Sequence, residues 1–125
     1  MGAEKKQIFI VDDDESVCRA LKLLLGTYGF KAYSFTSPIK FLSDVSDSVP
    51  GCLILDIHMP GFDGWQTLGQ MSALGRRPVI IISADKNGGF REKSLKAGAV
   101  GFLQKPFNDR ELIDLIDVAF AGKGR

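Results

Sequence analysis

Cysteine is nearly absent from this chain: Cys18 and Cys52 are the only two, and neither has a second thiol or a histidine at metal-ligand spacing. That excludes a disulfide scaffold or a zinc-thiolate centre and points to two reduced thiols in a cytoplasmic protein. Excess charge is lacking too. Sixteen Lys and Arg stand against fifteen Asp and Glu, a formal net charge of +1, so no general electrostatic drive toward nucleic acid or an anionic membrane exists. No apolar run approaches membrane-spanning length, and the start of the chain has no apolar stretch after its charges, so neither a membrane span nor an export signal is visible. Internal repeats and low-complexity tracts are also missing, and no interdomain linker is seen unless Gly122-Lys123-Gly124-Arg125, which reads as a tail, is the start of one. One domain over residues 1–125 is the expectation, with a core from about 7 to 121 and a short glycine- and lysine-bearing tail. At 45% hydrophobic residues, that length buries a core without metal or disulfide staples.

What is present is an alternation of two periodicities. Buried-type strands are predicted at 8–11, 52–55, 79–82 and 100–104, and a shorter alternating one at 31–35. Between them lie helical patterns. The first carries Val17, Leu21, Leu24 and Leu25 and stops at Gly29; the second opens on Ser37-Pro38, a cap followed by proline at the first helical position. A third runs from Gly64 through Trp65 and Leu68 to about Gly75. The fourth, 90–97, is weak because Gly88 and Gly89 precede it and few apolar residues support it. The fifth has Asn108 and Glu111 at capping-box spacing, then Leu112, Ile113 and Ile116 on one face. Strand and helix alternating five times through short connections imply an α/β fold: a doubly wound, five-stranded parallel sheet with helices on both faces.

Ligands of such sheets bind outside the carboxyl ends of the strands. Asp12 and Asp13 follow the first strand, Asp56 ends the third, Ser83 follows the fourth, and Lys105-Pro106 follows the last. Carboxylates brought that close repel unless a cation neutralises them, and a hard divalent ion with oxygen ligands, Mg²⁺ or Mn²⁺, answers that need. The plainer reading is that Asp12, Asp13 and Asp14 only cap the first helix, Ser83 caps another, and Lys105 is a solvated loop lysine. Taken together, a carboxylate nucleophile, a cation site, a hydroxyl and an ammonium are the parts that position a phosphoryl group and stabilise its oxygens.

The stretches Ile10-Val11-Asp12-Asp13-Asp14, Leu55-Asp56-Ile57-His58-Met59-Pro60 with Gly64, Ile82-Ser83-Ala84, and Lys96-Ala97-Gly98-Ala99 through Phe102 to Lys105-Pro106-Phe107 resemble the receiver domain of two-component response regulators. The likeness runs in order over about residues 7–121 and is especially similar to receivers of nitrogen-fixation-type transcriptional regulators. It implies a flavodoxin-like fold with strand order 2-1-3-4-5 and Asp56 as phosphoacceptor. Asp12, Asp13, Asp56 and the backbone carbonyl of His58 would hold Mg²⁺. It further implies Ser83 and Lys105 on phosphoryl oxygens, a cis bond between Lys105 and Pro106, and Ser83 with Phe102 as the switch pair. Expected partners are a sensor histidine kinase or phosphotransfer protein and an output domain or partner, with a phosphorylation-dependent dimer as one form of output; neither nucleic acid nor membrane is an expected direct partner. The domain is expected to be a signalling switch rather than an enzyme, with self-phosphorylation from small donors and autodephosphorylation as side activities.

Phe102 lacks the hydroxyl of the tyrosine alternative, and Arg91 and Glu92 stand where small or apolar residues are usual. Three rivals are set against this reading. A haloacid-dehalogenase-like phosphohydrolase wants an acid two residues after its nucleophile, where this chain has His58. A flavin carrier would have its phosphate repelled by Asp12, Asp13 and Asp14. A degenerate receiver acting only as an interaction module would not need the full set of site residues.

Overall fold

The computed structural model describes residues 6–46, 48–59, 62–63, 77–85 and 89–122, the pair 62–63 by its backbone. In chain order the elements are β1 (Gln7–Val11), α1 (Glu15–Thr27), β2 (Lys31–Phe35), α2 (Pro38–Asp44), β3 (Cys52–Asp56), β4 (His58–Met59), β5 (Phe62–Asp63), β6 (Val79–Ser83), α3 (Gly89–Lys96), β7 (Gly101–Gln104) and α4 (Asp109–Ala121). The helix expected from Gly64, with Trp65, lies outside the described residues, as does Gly88. Five strands form one parallel sheet in the order β2-β1-β3-β6-β7, which is 2-1-3-4-5 when only sheet strands are counted. β4 and β5 pair antiparallel as a small separate ribbon, in a stretch the sequence presented as a loop.

Helices cover both faces, which is why β3 and β6 read as unbroken apolar runs: all five residues of each are buried. Alternation along the strands divides the core in two. Ile8, Ile10, Ile54, Ile80 and Ile82 face the side shared by Leu21 and Leu25 of α1 and Leu112 and Ile116 of α4. On the other side, Phe9, Val11, Leu53, Leu55 and Ile81 group with Phe41 of α2 and Phe102 of β7. Each such side chain contributes about 1.5–3 kcal/mol on leaving water.

Helix ends follow local chemistry. Asp14 caps α1 by accepting from the amides of Ser16 and Val17, and Ser37 caps α2 with Pro38 in the first turn. Asn108 and Glu111 of α4 form a reciprocal capping box. Gly29, at φ 89°, takes the left-handed conformation just past α1. The weak fourth pattern does form a helix, α3, but Ser94 is its only buried residue, and its hydroxyl bonds back to the Phe90 carbonyl at 2.7 Å.

The amino edge of the sheet is closed by two devices. Gly51 sits at φ 151°, and a Cβ there would lie 2.7 Å from the Phe9 ring and 2.8 Å from the Gln7 carbonyl oxygen. Arg77 is buried, with its guanidinium 5.3 Å from the ring centroids of both Phe9 and Phe41. It donates to the carbonyls of Ser46 at 2.9 Å and Val49 at 2.7 Å. Aromatic faces and carbonyl dipoles thus replace the water a buried cation loses.

Gly51→Ala is expected to lower the unfolding free energy by about 2 kcal/mol, through backbone strain and overpacking against Phe9. Gly26→Ala in α1, where a Cβ meets nothing within 4 Å, is expected to raise it by up to about 1 kcal/mol. Urea denaturation of both variants checks the contrast.

Candidate functional site

The register of the sheet assembles the site. Val11 pairs with Leu55, Asp56 with Ile82, and Ser83 with Gln104, so Asp12, Asp56, Ser83 and Lys105 all emerge at one carboxyl edge. Asp12, Asp56 and Ser83 are buried there, whereas Asp13 is exposed. Carboxylate oxygens of Asp12, Asp13 and Asp56 lie within 4.8 Å of one another.

Lys105 supplies the compensating charge. Its Nζ donates to Asp12 Oδ2 at 2.7 Å and to Asp56 Oδ2 at 3.2 Å. The other oxygen of each carboxylate accepts a backbone amide two residues onward: Asp14 N on Asp12 Oδ1 at 2.9 Å, and His58 N on Asp56 Oδ1 at 2.8 Å. Both carboxylates are therefore held by the same local turn, which fixes the oxygen aimed at the ammonium. The Lys105–Pro106 peptide is cis, and the Lys105 amide donates to the Ser83 carbonyl at 2.7 Å. Behind the site, the Cys18 thiol donates to the Asp12 backbone carbonyl at 3.3 Å.

Burial raises the Asp56 pKa above its ordinary 3.8; the His58 amide opposes the rise, the Asp12 charge adds to it, and Lys105 opposes it. For Lys105, burial alone would lower the pKa, but hydrogen bonds to and charges of Asp12 and Asp56 outweigh it, and the net shift is upward from 10.5. The two directions pull apart on the Asp56–Lys105 contact, one disfavouring charge and the other favouring it. The ammonium is the firmer conclusion, because it has two anionic partners and remains exposed enough to stay hydrated. While the carboxylates are ionised, its pairing stabilises the fold below pH 10.5 and is lost as pH climbs past the raised value.

The acidic run divides by role. Asp14 is the helix cap, so the capping reading holds for that residue, while Asp12 and Asp13 join the Asp56 cluster. Ser83 reaches the edge, but its hydroxyl accepts from the Asp85 amide at 3.0 Å; among the described residues no hydrogen bond joins it to the carboxylates. Phe102 is buried in β7, away from the carboxylates, with the Arg91 guanidinium 5.9 Å from its ring centroid. The His58 imidazole points away from the cluster: its Nε2 meets Asp85 Oδ2 at 3.0 Å, and its ring lies 5.7 Å from that of Phe90. Asp85 was not among the residues singled out from the sequence. Its signal was positional, since it follows Ser83 by two residues as His58 follows Asp56.

A sheet of this order with this edge defines a class. The chain belongs to the response regulator receiver domain family, whose model matches residues 8–117. It is 42% identical over 120 residues to the response regulator protein TodT of Pseudomonas putida, covering 95% of this chain and 53% of that one. It is 34% identical over 116 residues to the transcriptional regulatory protein FixJ of Bradyrhizobium diazoefficiens, covering 92% of this chain and 57% of FixJ. The chain thus spans about half the length of these curated relatives. Among solved structures, a response regulator receiver protein from Burkholderia phymatum superposes with a TM-score of 0.83 at 39% identity, covering 94% of this chain and 96% of that one. The family places the chain in two-component signalling, as a receiver rather than a self-standing catalyst. Among the described residues, no helix is long and apolar enough to cross a membrane.

Because the fold holds Asp56 protonated to higher pH than the unfolded chain does, ionising it costs stability as pH rises from about 3.8 through the raised value, and the cost is constant above. Asp56→Asn leaves the Lys105–Asp12 contact intact. It is expected to stabilise the metal-free protein at neutral pH by on the order of 1 kcal/mol, with the gain fading toward pH 3. Urea denaturation at the two pH values without divalent ions checks both the sign and the fading.

Proposed function

We propose that Asp56 is the phosphoacceptor of this receiver. A carboxylate oxygen of Asp56 attacks the phosphorus of a phosphohistidine on a sensor histidine kinase or phosphotransfer protein. The new P–O bond forms as the P–N bond breaks, and the imidazole leaves. Water later attacks the same phosphorus and returns the Asp56 carboxylate and inorganic phosphate. Small phosphodonors such as acetyl phosphate enter by the same attack.

The observation that carries this reading is the Lys105 ammonium held between Asp12 and Asp56, 3.2 Å from the proposed nucleophile. On transfer, the ammonium is already where a phosphoryl oxygen would need it, and the Ser83 hydroxyl, which accepts from the Asp85 amide, still has its proton to donate to another. The donor set suits Mg²⁺ or Mn²⁺: all the ligands are oxygens, clustered within 4.8 Å, on Asp12, Asp13 and Asp56, with the His58 carbonyl as a further one. Bound there, the metal would supply positive charge to offset that of the phosphoryl group. Ser83 and Phe102 form the route to output. The state of the switch would be read by an output domain or a partner protein, and a phosphorylation-dependent dimer is one form that output takes. The cytoplasm is the compartment that supplies such kinases.

The phosphohydrolase alternative is disfavoured because the place for its second acid is taken by His58, whose side chain is engaged with Asp85.

Incubation with acetyl phosphate and Mg²⁺ is expected to give one hydroxylamine-labile phosphate per chain, absent from Asp56→Asn. Asp13→Ala is expected to abolish the Mg²⁺ requirement's calorimetric signature, the binding isotherm, while Lys105→Ala retains metal binding and loses activation. Wild-type labelling of Asp56→Asn, or equal loss of Mg²⁺ binding in the Asp13 and Lys105 variants, contradicts the assignment.

A further inference from the structure

Phe102 has no polar atom by which a hydrogen bond could fix its ring. It is only 6% exposed and belongs to the core group of Val79, Ile81 and Ala99, with the partly buried Phe90 beside that group. Packing alone gives a ring few directional constraints, so whatever covers its face counts heavily. Here the cover is a cation from α3. The Arg91 guanidinium carbon lies 5.9 Å from the Phe102 centroid, within the range of a cation–π contact.

α3 has little else to hold it by apolar burial, since Ser94 is its only buried residue. Its first turn instead makes ring contacts through adjacent residues. Phe90 meets the His58 ring, and Arg91 meets Phe102. His58 in turn follows Asp56 by two residues and donates its amide to Asp56 Oδ1. One turn of helix thus touches both the buried aromatic and the residue whose amide holds Asp56.

We infer that Arg91 is a positioning residue for Phe102, its guanidinium holding the ring in its buried position, and that a phosphoryl group on Asp56 selects that same position. The inference rests on the receiver reading of Asp56 and adds to it a residue that acts through the ring. A guanidinium over a ring in a half-exposed setting favours the covered state by about 2–5-fold, and linkage carries that factor into the apparent affinity of any ligand that selects the same state.

The test measures beryllofluoride binding in the presence of Mg²⁺, with Arg91→Met, Arg91→Lys and Phe102→Leu. Methionine keeps length and apolar contact while removing charge; lysine restores charge. Arg91→Met is expected to weaken binding by about 2–5-fold, Arg91→Lys to recover most of it, and Arg91→Met to have no effect in the Phe102→Leu background. An unchanged affinity in Arg91→Met, or the same loss whether or not Phe102 is present, overturns the inference.

A second readout needs no phosphoryl mimic. With 4-fluorophenylalanine incorporated and the Phe102 resonance assigned by its loss in Phe102→Leu, the ¹⁹F shift of the unmodified protein is expected to move in Arg91→Met and return in Arg91→Lys. An unmoved resonance overturns the contact even if beryllofluoride binds. If beryllofluoride fails to bind the wild type, it is the Asp56 reading that fails, and the ¹⁹F series still decides the role of Arg91.

Discussion

Two carboxylates buried at the rim of an apolar sheet cannot stand without a positive charge between them. At about 4 Å and an effective dielectric constant near 20, their mutual repulsion is on the order of 4 kcal/mol, a large share of the stability of a small domain. Lys105 meets that requirement from the far strand. Its ammonium bridges Asp12 and Asp56, while its amide ties β7 to β6 through the Ser83 carbonyl. The ends of β1, β3, β6 and β7 are consequently held in register by electrostatics as well as by the sheet's hydrogen bonds. The local turns at Asp14 and His58 orient each carboxylate so that one oxygen faces the backbone and the other the cation.

Much of this was legible in the sequence, because the sheet is parallel and buried on both faces. Strands such as Leu53-Ile54-Leu55 then carry no polar alternation, and the first polar residue after each run marks the edge where chemistry collects. Asp12, Asp56 and Ser83 follow from that rule, and Lys105 stands one residue beyond Gln104, the first polar residue after the last run. Three features were not legible, each for a physical reason. Nothing local distinguishes an arginine that enters the core, as Arg77 does, since its partners Phe9, Phe41, Ser46 and Val49 come from distant turns. The β4–β5 ribbon is two residues per strand, too short for any period to register. The engagement of His58 with Asp85 depends on two loops meeting, which only the register of β3 and β6 decides.

α3 shows the difference between a helix made by its own sequence and one made by its surroundings. Its glycine start and sparse apolar content argue against it, yet it forms across Gly89–Lys96. Ring and charge contacts at its first turn supply some of the hold that α1 and α4 obtain from leucine and isoleucine. Helices held in this way lie at the low end of local stability, where modest changes in free energy alter their populations. A segment with that character beside Ser83 and His58 suits a domain whose family works by switching.

The clasp around Arg77 gives the opposite edge of the molecule a different character. α2 is seven residues long, too short to persist alone, and it leaves Ile39 and Leu42 exposed. Its one fully buried aromatic, Phe41, is also one of the two faces that shield the guanidinium. Unravelling α2 would strip that shield, and releasing the turn at Ser46 and Val49 would leave the cation's donors without their carbonyls. Neither can be lost singly without uncovering a permanent charge in a dry place, so helix, turn and strand edge form one cooperative unit of unfolding.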